Sequence, residues 1–450
     1  MVWGDQFRNY FLQYCLASLL SPGNIPALAG SRPAEFIIAT TAEDWQAMRE
    51  TAIFQELQRH AKPIFLELPP RPPTQPNWER SVTGIKLYSD AVYRKRAYRI
   101  FTVPDYIYAD GAVARLDLLA KAGAQAVMIN VQPRIAEDAF FAALEMMGIA
   151  PQANCRDAGT PLVYSPRQLV AAALKSFHSM TVVNEWDAPY FCGYAATPWW
   201  RVDDDGIIIC GMGWNPLLID YGAVPEHDVT LIDTRGLDGD YDMRTIGHLK
   251  TIYAVRDSDE IYAASWSTLD YMAQPIRRQV FGEWGKGTAF RCSYYGPHFN
   301  WLHRALLFVP VRLHAGPLNE KWDRTESRLY RTLLTWLDPP DELGEIGRAL
   351  PAAQLEYAAI KGKIAYSGLP AWRRSPSFRR RLRNLWLAFA AVLVHPISCS
   401  FPNSTRMRWL ISGTQIAVAR AVAALRGDKE ARAWLWTRLR AYSSHLRGRP

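Results

Sequence analysis

The stretch Ile100-Phe101-Thr102-Val103-Pro104-Asp105-Tyr106-Ile107-Tyr108-Ala109-Asp110-Gly111 carries the densest structural signal in this chain. An apolar run beginning at Tyr98 ends on an acidic residue, a second apolar triplet follows, and Asp110-Gly111 marks a turn. The pattern predicts a strand over 98–103 and, after Gly111, a helix reaching Ala122. Working outward, Ala126 to Val131 reads as a strand and Ala136 to Met147 as a helix. On the other side, Phe36-Ile37-Ile38-Ala39-Thr40 is a short strand. Thr41 then stands as an N-cap, with Glu43 and Asp44 in the first turn of a helical stretch that ends near His60. Pro63 to Leu68 is a second strand, the Pro-rich run from Pro69 to Pro76 excludes regular structure, and a basic helix covers Val82 to Arg96. Strands alternating with helices of this length predict an α/β fold, a mostly parallel sheet flanked by helices on both faces.

Beyond Gly148 the character changes. Pro166 to Phe177 reads as a helix, Tyr190 to Ile219 is rich in Trp, Gly and Pro, and Val229 to Asp233 and Ile252 to Arg256 read as short strands. Helices dominate from Tyr295 to Leu337. This divides the chain into residues 1–150, 151–330 and a basic helical extension over 331–450.

Of the 450 residues, 49% are hydrophobic and 21% charged, the balance of a packed globular protein rather than a disordered one. Six cysteines stand without a CxxC or zinc-type spacing, which favours a reducing, cytoplasmic setting over a disulfide framework. The apolar stretch from Tyr10 to Leu20 reads as a helix stopped at Ser21-Pro22-Gly23 and not as a signal peptide, because Asp5 and Arg8 precede it and no small-residue cleavage site follows. No Walker or Rossmann glycine loop, GxSxG or HExxH occurs. The net charge of +9 is unevenly placed. Residues 371–450 hold 16 Lys and Arg against two Asp and Glu, whereas the preceding 370 hold 36 against 41. An anionic partner is therefore expected for the tail alone.

The segment ending at Asp105 resembles the metal-binding strand of GT-A glycosyltransferases, where an Asp-x-Asp pair holds a divalent cation against a sugar-nucleotide diphosphate. Asp105 falls on the second acid of the pair and Val103 on the first. Hard oxygen ligands on Mg²⁺ or Mn²⁺ suit a leaving group that accumulates negative charge. Downstream, Arg312-Leu313-His314-Ala315-Gly316-Pro317-Leu318-Asn319-Glu320-Lys321-Trp322 is similar to the closing motif of the glycogenin-like retaining group. There a His completes the metal shell and a Lys meets the diphosphate. The resemblance implies a GT-A-like fold, Asp105 and His314 as metal ligands, and Asp110 and Lys321 beside the nucleotide sugar. It also places Ala39, Thr40 and Thr41 at the base or ribose, with Lys86 as a further diphosphate contact.

The acidic residues Asp238, Asp240 and Asp259 are candidates for orienting acceptor or sugar, because carboxylates in this half of such enzymes bind sugar hydroxyls or act as the acceptor's base. The same carboxylates fit ordinary surface turns, and Asp105 and Asp110 fit a strand-end turn. The function implied is transfer of a hexose from a nucleotide sugar to a glycan or lipid-linked acceptor in bacterial surface polysaccharide synthesis. Two alternatives remain open: a nucleotidyltransferase of similar architecture, and a nucleic-acid-binding protein using the basic tail with its interleaved Trp. The acidic body speaks against the second.

Within the tail, the helical run Leu385 to Val394 covers roughly 15 Å against a bilayer core of about 30 Å, so it does not span. Its flanks, with Arg379, Arg380, Arg381, Arg383, Arg406 and Arg408 beside Trp386 and Trp409, suit an anionic membrane surface. The expected location is cytoplasmic, peripheral at the inner face of the plasma membrane.

Overall fold

A computed structural model gives the architecture and describes residues 1–70, 77–130, 133–151, 155–191, 197–229, 245–246, 249, 251–278, 282–294 and 301–337. The strands are β1 (Glu35–Thr40), β2 (Lys62–Glu67), β3 (Tyr98–Ile100), β4 (Tyr106–Tyr108), β5 (Ala126–Asn130) and β6 (Ile135–Ala136) in the first half. The second half adds β7 (Trp199–Asp203), β8 (Gly206–Ile209), β9 (Trp214–Asp220), β10 (Ile252–Ala254), β11 (Ala263–Ser267) and β12 (Val311–His314). They form four sheets, ordered β1-β2, β10-β5-β9-β3, β4-β11-β6 and β12-β8-β7.

The fold is mixed α/β, but its sheets are small and of mixed direction rather than one mostly parallel sheet. Among the described residues β1–β2, β5–β10 and β6–β11 pair in parallel, and the other five pairings are antiparallel. Short connections are one physical cause. Only Asp204 and Asp205 separate β7 from β8, and a two-residue link can join antiparallel strands alone. The expected strand over 98–103 is the other departure: only Tyr98–Ile100 forms a strand, β3 on β9, and the triplet after Asp105, Tyr106–Tyr108, forms β4 on β11 in a different sheet. Pro104 lies in the break, where it removes a backbone donor that a ladder would use.

Several local expectations hold. Thr41 caps the helix Ala42–Arg49, its hydroxyl accepting from the Asp44 N–H at 3.0 Å. The helix Pro166–Leu174 opens with Ser165 and Gln168 in a reciprocal capping box. The N-terminal apolar run is helical, with a π turn over Phe11–Cys15, and buries Leu12, Leu16 and Leu19. The expected strand Val229 to Asp233 beyond its first residue, and the basic extension from 338 onward, lie outside the described residues, as does most of the acidic stretch before β10.

Two apolar clusters carry the fold. The larger draws on residues from Val2 to Leu313, on both sides of position 150. The smaller gathers Trp186, Trp200, Phe290, Trp322 and Leu333. Sheet β12-β8-β7 divides them, and its period-two alternation feeds both. Trp199, Ile207, Ile209 and Leu313 face the larger cluster, while Trp200 and Ile208 face the smaller.

Candidate metal centre

β10 runs into Val255 and Arg256 and then the loop Asp257-Ser258-Asp259-Glu260. β12 reaches this loop by backbone bonding on both sides. The Arg312 N–H donates to the Arg256 carbonyl at 2.8 Å, and the Ser258 N–H to the Arg312 carbonyl at 2.9 Å. Beneath them Glu326, on the helix Glu320–Trp336, takes both arginines. Its Oε2 lies 2.7 Å from Arg312 Nη2, and its Oε1 lies 3.4 Å from Arg256 Nη2. This register brings His314, the last residue of β12, against the loop.

His314 Nε2 lies 2.9 Å from Asp257 Oδ1 and 3.8 Å from Asp259 Oδ2. One ligand atom from each of these three residues falls within 4.8 Å of the other two. The imidazole is deeply buried, its side chain 2% exposed, whereas both carboxylates reach solvent. Its Nδ1 sits 2.7 Å from the Gly316 carbonyl, an acceptor only, so Nδ1 carries a proton; Nε2 donates to the Asp257 carboxylate in the metal-free ring, and giving up that proton would turn the Nε2 lone pair to a cation held by the same carboxylates. A backbone carbonyl holding the far nitrogen is the usual orienting contact of a metal-ligating histidine. Two carboxylate oxygens and one imidazole nitrogen therefore fit a divalent cation that tolerates mixed oxygen and nitrogen ligands. Mn²⁺ suits this set better than Mg²⁺, which prefers oxygen.

The charges are mutually tuned. Burial alone would raise the Asp257 carboxyl, but the His314 hydrogen bond, the Asp259 N–H and the positive charges of His314 and Arg312 hold it below its ordinary value. Burial alone would lower His314; the Asp257 bond, the Gly316 carbonyl and the two carboxylates raise it instead. Arg167 clamps Asp259 from outside, with Nη2 2.7 Å from Oδ2 and Nε 3.1 Å from both oxygens. Gly206, opposite His314 in the ladder, lets the Trp322 indole lie on the strand, because a Cβ there would overlap the ring and approach the Leu313 carbonyl at 2.9 Å. Trp322 in turn meets the His314 ring edge-on at 5.6 Å.

Of the residues singled out from sequence, His314 and Asp259 meet here, joined by Asp257. The Asp-x-Asp spacing missing at 103–105 is present at 257–259, in a run that reads equally as an acidic surface turn. Asp105 stands apart from this group. It faces Arg134 at 3.4 Å, and burial pushes its carboxyl above the ordinary range, with Arg134 partly offsetting. Asp110 has a structural task, accepting from the Gly23 N–H at 2.7 Å. Asn24 donates to the Ala109 carbonyl and accepts from the Val113 N–H, so the turn at 110–111 is stitched to 21–24. Ala39 and Thr40 are 1% and 0% exposed and offer no open surface to a ribose, while the Thr41 hydroxyl is committed to Asp44. Lys86 lies half-buried on the helix Asn77–Lys95, and Lys321 reaches Asp203 Oδ2 at 3.5 Å. Asp238 and Asp240 lie outside the described residues.

No protein-family model, curated protein or solved structure matches the chain. No helix among the described residues is long and apolar enough to cross a membrane.

Proposed function

We propose that the chain is a metal-dependent glycosyltransferase of GT-A type, moving a hexose from a nucleotide sugar to a glycan or lipid-linked acceptor. The observation that carries the reading is the meeting of an Asp-x-Asp pair with a histidine whose Nδ1 is fixed and whose Nε2 faces both carboxylates. In this reading Asp257, Asp259 and His314 hold the cation, which when bound neutralises charge developing on a diphosphate leaving group. His314 keeps its role from the sequence reading, and Asp257 and Asp259 take the place expected of Asp105. The motif running from His314 through Gly316 to Lys321 and Trp322 adds support, since its ends pack on one another across the His314–Trp322 contact. Lys321, in the first turn of its helix, is the cation best placed in sequence to meet a phosphate.

The test uses the full chain. Mn²⁺ titration followed by electron paramagnetic resonance should show one saturable site, and uridine diphosphate should bind more tightly when Mn²⁺ is present. Asp257→Asn and Asp259→Asn should each weaken Mn²⁺ at least tenfold while near-ultraviolet circular dichroism stays unchanged. A nucleotide-sugar panel should release nucleoside diphosphate. Release of pyrophosphate from nucleoside triphosphate and sugar phosphate would assign the same metal centre to nucleotidyl transfer. Mn²⁺ binding indifferent to both substitutions would sink the metal reading.

A further inference from the structure

A cavity of about 420 Å³ lies at the β3 edge of the four-stranded sheet, whose opposite edge, β10, leads to the Asp257 loop. The first half of β1 supplies another wall, and the helices Ile25–Ala29, Asn77–Lys95 and Ala112–Lys121 close the remaining sides. The volume falls in the range of pockets that enclose small organic ligands. Its depths are aliphatic: Leu19, Ile25, Val113 and Leu218 line it and are no more than 5% exposed. Leu28, Phe36 and Ile100 also line it, and they stay half-buried although they pack on the larger core. Apolar side chains half-buried on a concave wall are surface that a ligand can still remove from water. Glu35 and Lys95, by contrast, are exposed and mark the mouth.

The charged side chains on the wall are already engaged within the fold. Glu35 pairs with Lys95 and Arg32 with Asp117, which also takes Lys121. Arg99 donates to the Tyr221 hydroxyl at 2.9 Å and lies 5.3–5.6 Å from the ring centres of Tyr88, Phe101 and Tyr221. An ionised group entering here would trade its hydration for counter-charges that already serve a partner, and burying a charge on those terms is costly. A hydrocarbon chain meets no such cost and gains with the apolar surface it covers. At the mouth, the Glu35–Lys95 pair presents an acceptor beside a donor, and a hydroxyl or ester can use such a pair without carrying charge.

We infer that this cavity is a binding site for an uncharged amphiphile with a single aliphatic chain, the chain lying in the depths beside Leu218 and the polar end at the Glu35–Lys95 mouth. The site is separate from the metal centre and does not rest on the glycosyl-transfer reading.

The probes are the radiolabelled straight-chain alcohols from hexanol to tetradecanol, with decanoate and decylammonium as charged counterparts of decanol. Each is kept below its solubility or micellar limit and dialysed to equilibrium against the full chain. The alcohols should saturate at one site per chain, with affinity rising about fourfold for each methylene added and levelling off once the chain fills the cavity. Decanoate and decylammonium should both bind severalfold more weakly than decanol. Ala97→Phe and Leu28→Trp, each placing a larger ring on the cavity wall, should abolish saturable decanol binding while near-ultraviolet circular dichroism shows the fold retained. Absence of saturable binding by the parent overturns the inference, as does uptake of many alcohols per chain with no levelling, which is partition onto a surface. Equal or tighter binding of either charged counterpart overturns the uncharged assignment, and undiminished decanol binding in a folded variant places the ligand elsewhere. If one variant fails to fold the other decides, and the levelling of affinity in the parent tests the finite cavity without either.

Discussion

His303 lies on the helix Trp301–Leu306 and is 5% exposed, too deep to keep an imidazolium hydrated. Burial pushes its ring down to about 4, and the neighbouring Arg304 charge acts in the same direction. In the unfolded chain the ring titrates near 6.5, so between those values the unfolded state binds the proton and the fold does not. Stability from this residue is thus fully present above about 6.5 and is lost as pH falls toward 4. On moving from pH 7.5 to pH 4.5, the parent chain should lose about 2–3 kcal/mol more than His303→Gln, read from urea midpoints. Equal slopes for the two would show that His303 is already hydrated in the fold. The residue scale was also where sequence reading divided. His314 was legible because its spacing to Gly316, Lys321 and Trp322 is a local pattern. Asp257 carries no such mark, because its value as a ligand comes from β12, whose register against the 256–258 loop is invisible in one dimension.

At the scale of elements, the loop after β10 is held by side chains that never touch the candidate ligands. Glu326 is 4% exposed and receives two arginines whose backbones frame Asp257 and Ser258. Removing one member of a buried ionic network strands the others, at a cost of about 3–5 kcal/mol. Glu326→Ala should therefore lower stability by that order and weaken Mn²⁺ severalfold, whereas Glu326→Gln, which keeps acceptor and shape, should recover part of both. A loss of stability with Mn²⁺ affinity untouched would limit Glu326 to the core. The elements themselves were largely readable. The helix begun by Thr41 follows from local capping chemistry, and β1, β2 and β5 from apolar runs. The sheet direction was not readable, because alternation of strands and helices says nothing of which strands meet. The expected strand over 98–103 shows the point: β3 ends at Ile100, Tyr106–Tyr108 forms β4, and their partners β9 and β11 lie in different sheets.

For the whole molecule, charge is the property that sequence gives most directly. The body is mildly acidic and residues 371–450 are strongly basic, and these lie outside the described residues. With each basic side chain at an anionic surface contributing about 1 kcal/mol, several engaged together suffice for reversible attachment. The full chain is expected to float with anionic liposomes at low salt and to be released at high salt, while a truncation after Pro370 stays in solution. Identical flotation of the two chains would remove the tail from any membrane role. The described body has its own chronology. Sheet β12-β8-β7 is completed by its last strand in sequence, and the same strand carries His314. Asp259 and His314 are 55 residues apart, so a ribosome adding about 5–20 residues per second delivers the third member of the group some 3–11 s after the first two. During synthesis the two aspartates are thus exposed before their histidine exists, and a nascent chain can carry Arg167 on Asp259 long before it can carry a cation. The centre is a late product of translation, closed by the strand that also seals the wall between the two cores.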